Sequence, residues 1–466
     1  MSLPSKELMA AIAVTRFGLG ARPGEIAAAG TDPKDWLIQQ IRPEGADLPQ
    51  DDGATSASRV QMMNAYRQAR QMARQSDAKT DQVAAARIDS QRVLRETTAS
   101  DFLARAQLGA ATPAGFRERW TLFWANHFTV SATKQVTAVL IGPFEREAIR
   151  PHVFGRFEDL LVAAVTHPAM LTYLDQAQSI GPGSQAATGM ARRQASRRQP
   201  GLNEDLAREI LELHTIGVDA GYSQADVTEF ARALTGYSLG LEQDERPGQF
   251  VFRDRAHEPG FRTILGRRHA EGGLAQGLGV LKALAADPRT ARHVCTRIAR
   301  QFVSDTPPPA LVAALEKRWM ETGGRLDAVA EALIQAPEAW DPAPAKFKTP
   351  YEFTLSTWRL VGAQPSAIGR LAPILTALGQ KPFSPPSPKG WPEEAQAWAA
   401  PDALIKRMQW AQGFAAVVGD NLDPNTTALE ALGARLTPPV AKAISRAETR
   451  REAFALLVMS PEFQRR

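Results

Sequence analysis

Cysteine is almost absent. One residue, Cys295, stands among 466, so no internal disulfide can form and a cystine-stapled scaffold is excluded. Cys295 shares a helical stripe with Ile298 and Phe302 and reads as a small core residue. Long apolar runs are absent too: none approaches the roughly 18 residues a membrane span requires. The opening stretch MSLPSKELMAAIAVTRFGLG is only weakly apolar, is broken by Arg16 and has no convincing cleavage site. It reads as the first helix of the fold, and a cytoplasmic protein is expected. There is no P-loop, dinucleotide fingerprint or zinc pattern. A di-iron bundle needs two Glu-x-x-His motifs; Glu209-x-x-Glu212 is not one, and Glu212-Leu-His214 has the wrong spacing. Charge of one sign is scarce as well. The net charge is +5, and it falls to +1 without Arg192, Arg193, Arg197 and Arg198. A broad basic face is therefore missing, and nucleic acid is not the expected partner.

What remains is 44% hydrophobic and 23% charged, the balance of a soluble globular protein. Helical periodicity dominates, and the fold class expected is all-α: one large domain over 1–466 with one short β-hairpin over 249–266. Residues 57–110 are rich in Ala, Gln and Arg without proline and predict a projecting helical arm. Residues 181–201 are Gly, Ser, Ala and Arg and predict a flexible basic loop, either a disordered insertion or a lid for an anionic substrate. A C-terminal helical part is expected over 273–466. Within it, KPFSPPSPKGWP (381–392) is either an extended partner ligand or a fixed loop plugged by Trp391.

The densest chemistry lies in a helical pair over 202–237. Asn203 is placed to cap the first helix, with Glu204 and Asp205 at its positive end. Ser223 and Asp226 have the spacing of a capping box for the second. Glu204, Arg208 and Glu212 recur every four residues and can pair as a solvated face. Alternatively, Glu209 and Glu212 line a cleft as acid and base or as metal ligands, with Asp226 brought close by the short connection. His214 falls on the apolar side, as a packed imidazole or as a catalytic one. Asn126 and His127 end an aromatic helix over 116–130, where His127 is a core group, a helix cap or a ligand. His257 and Glu258 sit in the expected hairpin loop, where a binding residue is plausible.

Several stretches together resemble the bacterial domain-of-unknown-function family 1800: RFGLGARPGE, FWANHF, HPAMLTYLD, NEDLAREILELHTIGV, GYSQADV, EFARALTGY, PPSPKGW and the terminal SPEFQ. The resemblance runs from about residue 10 to the end. Asp205 stands where many members have a second Asn, Tyr237 replaces a Trp, and Glu258 and Arg262 replace Asp and Lys. The resemblance implies a mostly helical single domain. It also implies a protein partner from an uncharacterised sulfatase-like family often encoded beside this one. Many relatives are exported. The family supplies no reaction, substrate or cofactor.

Two functions are expected from the residues. One is a carboxylate-based hydrolase of a glycan or other polar polymer, with Glu209, Glu212, His127 and Asp226 catalytic. In it Asn126, Asn203, Glu204, Arg208, His214 and His257 bind, and a divalent metal is an optional cofactor. The other is a non-catalytic helical scaffold or chaperone-like partner of another protein.

Overall fold

The computed structural model describes residues 3–42, 48–75, 81–192, 201–343 and 345–466. Ser5 caps helix α1 (Lys6–Ile12) by accepting from the Leu8 N–H at 3.3 Å. A π turn over Ala13–Phe17 follows, fully buried, and brings Arg16 into the core. A buried guanidinium needs acceptors. Arg16 finds them on the carbonyls of Ala339 (2.9 Å) and Ala343 (2.7 Å). Its neighbour Thr15 accepts from Arg435 at 2.5 Å, and Glu25 takes Arg359 on both oxygens at 2.9 Å. The N-terminal segment is thus fastened by residues more than 300 positions away.

The Ala/Gln/Arg-rich stretch forms two helices packed on each other, α2 (Ser56–Gln75) and α3 (Asp81–Ala111). One end of the pair belongs to the main core through Val60, Met63, Tyr66, Leu94 and Phe102. Met72 and Ile88 are exposed, away from that end. Helix α4 (Gly115–His127) is buried nearly all round. Phe116, Trp120, Phe123 and Trp124 supply apolar contacts. Its charged residues are paired inside, Glu118 with Arg150 (2.7 and 2.8 Å) and Arg119 with Glu352. This helix, more than the 202–237 pair, is the axis of the main core.

Part of the stretch expected as loop is regular. Residues Gln185–Arg192 form helix α5, started by Ser184 Oγ, which accepts from the Ala187 N–H at 3.2 Å. Residues 193–200, with three of the four clustered arginines, lie outside the described residues. The 202–237 pair is present as α6 (Asp205–Glu209), continued by a π turn over Ile210–His214, and α7 (Gln224–Leu234).

The expected hairpin over 249–266 is two hairpins, and this corrects the pairing. β1 (Tyr237–Leu239) pairs antiparallel with β2 (Phe250–Phe252), and β3 (Arg262–Ile264) with β4 (Arg267–His269). Leu265 (φ 50°) and Gly266 (φ 74°) are the two central residues between β3 and β4. Positive φ at both is the two-residue turn that matches strand twist. It pulls β3 forward, while β2 is left to pair backward with β1.

Helix α8 (Pro288–Phe302) buries Val294, Cys295, Ile298 and Phe302. Helix α9 (Pro350–Leu360) gives Tyr351 and Leu355 to the main core and Phe353 and Leu360 to a second core. That second core packs α10 (Pro401–Val418) against the helices that follow. The C-terminal helical part thus contributes to both cores, with Leu371, Leu375 and Phe383 still in the main one.

Candidate functional site

Helix α6 is anchored by Asn203. Its Oδ1 accepts from the Asp205 N–H at 2.7 Å, and its Nδ2 donates to the Leu174 carbonyl at 3.0 Å. Leu206, Ala207, Ile210 and Leu211 are fully buried beneath it. Beyond Glu209 the helix widens into the π turn. Thr215 Oγ1 donates to the Ile210 carbonyl (2.6 Å), and the Gly217 N–H donates to the Leu211 carbonyl (3.0 Å). Such widened turns are frequent at functional sites.

The outer face of α6 is largely self-paired. Glu204 accepts from Thr228 Oγ1 (2.6 Å) and Gln224 Nε2 (2.7 Å). Arg208 reaches Glu204 at 3.4 Å, Glu212 at 3.5 Å and Gln224 at 2.8 Å. Tyr222 donates its hydroxyl to Glu212 at 2.5 Å. The Thr228 bond, helped by Gln224 and Arg208, holds the Glu204 carboxyl below its ordinary value. Glu209 differs. It is half-buried and has no hydrogen-bond partner among the described residues. Burial first, then the charges of Glu212 and Asp205, push its carboxyl up to about 7, against the pull of Arg208. Burial and the Glu209 charge also push the nearby Tyr173 hydroxyl up to about 12.

Asp226 is not part of this group. One of its oxygens accepts from the Ser223 N–H (2.8 Å) and hydroxyl (2.6 Å); the other takes the Leu265 N–H at 2.6 Å. It closes the capping box of α7 and ties that helix to the β3–β4 turn. His257 stands apart as well, with Nδ1 on the Thr235 carbonyl at 2.9 Å and its ring against Phe252. Its neighbour Glu258 takes the Gly183 N–H at 2.6 Å and so secures the start of the 181–201 segment.

Three further histidines, His127, His214 and His293, converge behind α6. His127 is fully buried, with Nε2 3.0 Å from the His214 carbonyl and Nδ1 2.9 Å from Arg297. Arg297 can only donate, so Nδ1 accepts and Nε2 carries the proton. The ring is therefore neutral, and burial with the Arg297 charge keeps its pKa well below the ordinary value. His214 is fully buried against Phe128 and has no partner for either ring nitrogen among the described residues. Burial drives its pKa down to about 3. His293 meets the Leu213 carbonyl at 3.2 Å, and burial takes it down to about 4. These rings brace the π turn. Among the described residues no group of three His, Cys, Asp or Glu side chains could hold a metal ion.

Asn126 works at the same end of α4. It accepts from the Trp391 N–H (2.8 Å) and donates to the Trp391 carbonyl (3.1 Å). The proline-rich stretch is thereby a fixed loop. Arg297 donates to Glu393 at 2.7 Å and links that loop to His127. Arg297, Glu393 and Tyr173 were not singled out from the sequence. Arg297 carried a usable signal: a charge between the buried positions Cys295 and Ile298.

These features define a predominantly helical protein with two minor hairpins and a half-buried carboxylate face beside a π turn. Among the described residues no helix is long and apolar enough to cross a membrane. The chain belongs to the family described as protein of unknown function (DUF1800), whose family model matches residues 12–465. No curated protein and no solved structure matches it.

Proposed function

We propose that this protein is a carboxylate-based hydrolase acting on a glycan or another polar polymer, with Glu209 as proton donor. The observation that carries the reading is the contrast on one helix face. Glu209 has no hydrogen-bond partner among the described residues and is pushed up to about 7, while Glu204 and Glu212 are held by hydrogen bonds and Arg208. Environments that push neighbouring carboxyls apart are how acid and base roles are divided. Glu212, fixed by Tyr222, is the partner carboxylate. Both residues are half-buried on an outer face, which suits a chain-like substrate lying along α6. His127 and His214 hold the π turn and do not exchange protons with substrate.

The test is reducing-end release from a panel of neutral and acidic polysaccharides. Parent protein is expected to cleave at least one of them. Glu209→Gln should lower kcat by at least about a hundredfold, the usual contribution of a positioned acid. A parent inactive on the whole panel, or a Glu209→Gln variant as active as the parent, would overturn the reading.

A second reading, a helical scaffold for another protein such as a sulfatase-like partner, is favoured by one observation. Leu404, Ile405, Met408 and Val417 of α10 are exposed. Replacing Ile405 and Met408 with Glu would abolish co-purification with such a partner and leave the helical circular dichroism unchanged.

A further inference from the structure

Beneath residues 381–393 the protein holds a cavity of about 120 Å³. That is close to the size of cavities that accept one six-membered ring. Its walls come from α3, α4, α8 and α9, from Ile141, Phe144 and Glu145, and from the proline-rich loop. The Asn126–Trp391 bonds hold that loop in place.

The wall chemistry is mixed in an ordered way. Arg105 donates to Glu145 Oε1 at 2.7 Å and lies over the rings of Phe102 (4.7 Å), Tyr351 (5.1 Å) and Phe383 (4.6 Å). Glu393 takes Arg297 on Oε1 at 2.7 Å. The second oxygen of each carboxylate, and the Gln301 amide, make no hydrogen bond among the described residues. The Tyr351 hydroxyl, buried in the same wall, also lacks a partner there. Charge on the walls balances: Arg105, Arg119 and Lys381 against Glu145, Glu352 and Glu393.

These facts narrow the ligand by elimination. An anion would meet two open carboxylate oxygens. A cation would meet Arg105 and Lys381. An apolar molecule would strip water from the carboxylates and return no hydrogen bond. We infer that the cavity is a binding site for a small neutral ligand rich in hydroxyls, a single sugar ring or a polyol. Its hydroxyls donate to the free oxygens of Glu145 and Glu393 and pair with Gln301. Its apolar ring face lies against aromatic side chains of the lining, among them Phe123, Phe383 and Trp391. The inference does not rest on the role given to Glu209, which does not line this cavity.

The test is calorimetric titration of the full chain with glucose, galactose, myo-inositol and mannitol. Inorganic phosphate serves as the anionic probe and toluene as the apolar one. At least one sugar or polyol is expected to bind one-to-one. Gln301→Ala should weaken it by about tenfold, the worth of one or two hydrogen bonds. Ala125→Leu, which places a larger side chain on the half-buried wall of α4, should abolish it. Glu209→Gln should bind as the parent does, so this proposal and the hydrolase reading fail separately. Circular dichroism confirms the fold of each variant; should Ala125→Leu not fold, Gln301→Ala alone decides. Three results would overturn the inference: no sugar or polyol binds, phosphate or toluene binds more tightly, or Gln301→Ala binds with unchanged affinity.

Discussion

Neutralising Glu209 is expected to stabilise the protein, and only at high pH. In the folded chain burial and the Glu212 charge hold its proton up to about 7, whereas the unfolded chain releases it near 4.5. Between those values the folded state binds more protons, so its stability falls as pH rises, and the full cost stands above about 7. At about 1.36 kcal/mol per pH unit the gap is worth about 3.4 kcal/mol before solvent screening. Glu209 is only half-buried, so screening reduces this to about 1–2 kcal/mol. Glu209→Gln keeps the shape and removes the charge. With an unfolding entropy of about 2.1 cal/mol/K per residue, a chain of this size gains about 1–2 °C from that energy. Differential scanning calorimetry of parent and variant at about pH 8 and about pH 4.5 reads the difference, with the gain expected only at the higher pH. An unchanged or lowered midpoint at the higher pH, or an equal gain at both, would refute the reasoning. A lowered midpoint would mean that a cation holds Glu209 in the folded state.

Three further outcomes are expected. His214 and His293 are held neutral far below their ordinary value, so the unfolded chain gains protons first and stability falls as pH drops from 6.5 towards 4. His214→Leu, of similar volume, should flatten that loss in urea titrations across the range. Gly390 has φ 89°, and a Cβ there would meet the Asn126 carbonyl and Oδ1 at 2.6 Å. Gly390→Ala should cost roughly 3–4 kcal/mol, from the left-handed backbone and two lost Asn126–Trp391 bonds, and should also remove sugar binding in the cavity. Glu352 is buried between Arg119 and Arg466. Glu352→Ala should cost about 3–5 kcal/mol by leaving two guanidinium groups uncompensated, read as a loss of soluble, cooperatively unfolding protein.

Local signals were legible in the sequence wherever the physics was local. The Ser223–Asp226 capping box and the Asn203 cap follow from backbone groups a few residues apart. The four-residue ladder of Glu204, Arg208 and Glu212 was visible for the same reason. Pairings set by distant residues were not visible. β2 could be recognised as a strand, but its partner depended on the Leu265–Gly266 turn capturing β3. Asn126 and Trp391 were both noticed, yet nothing in either stretch shows that one side chain clamps the other's backbone across 265 residues. Glu209 was singled out by type and spacing. What distinguishes it from Glu212 is that Tyr222 and Arg208 turn toward one and not the other.

The fastening of the N-terminal segment has a consequence for how the chain is made. Thr15 meets its partner Arg435 only after 420 further residues exist. At about 5–20 residues per second, that wait is roughly 20 to 80 s. For most of it Phe17, buried in the finished molecule, lacks the Phe302 and Trp340 rings it packs against. Newborn chains of this protein should therefore depend on holding factors at the ribosome, and refolding from denaturant should be slow and concentration-limited.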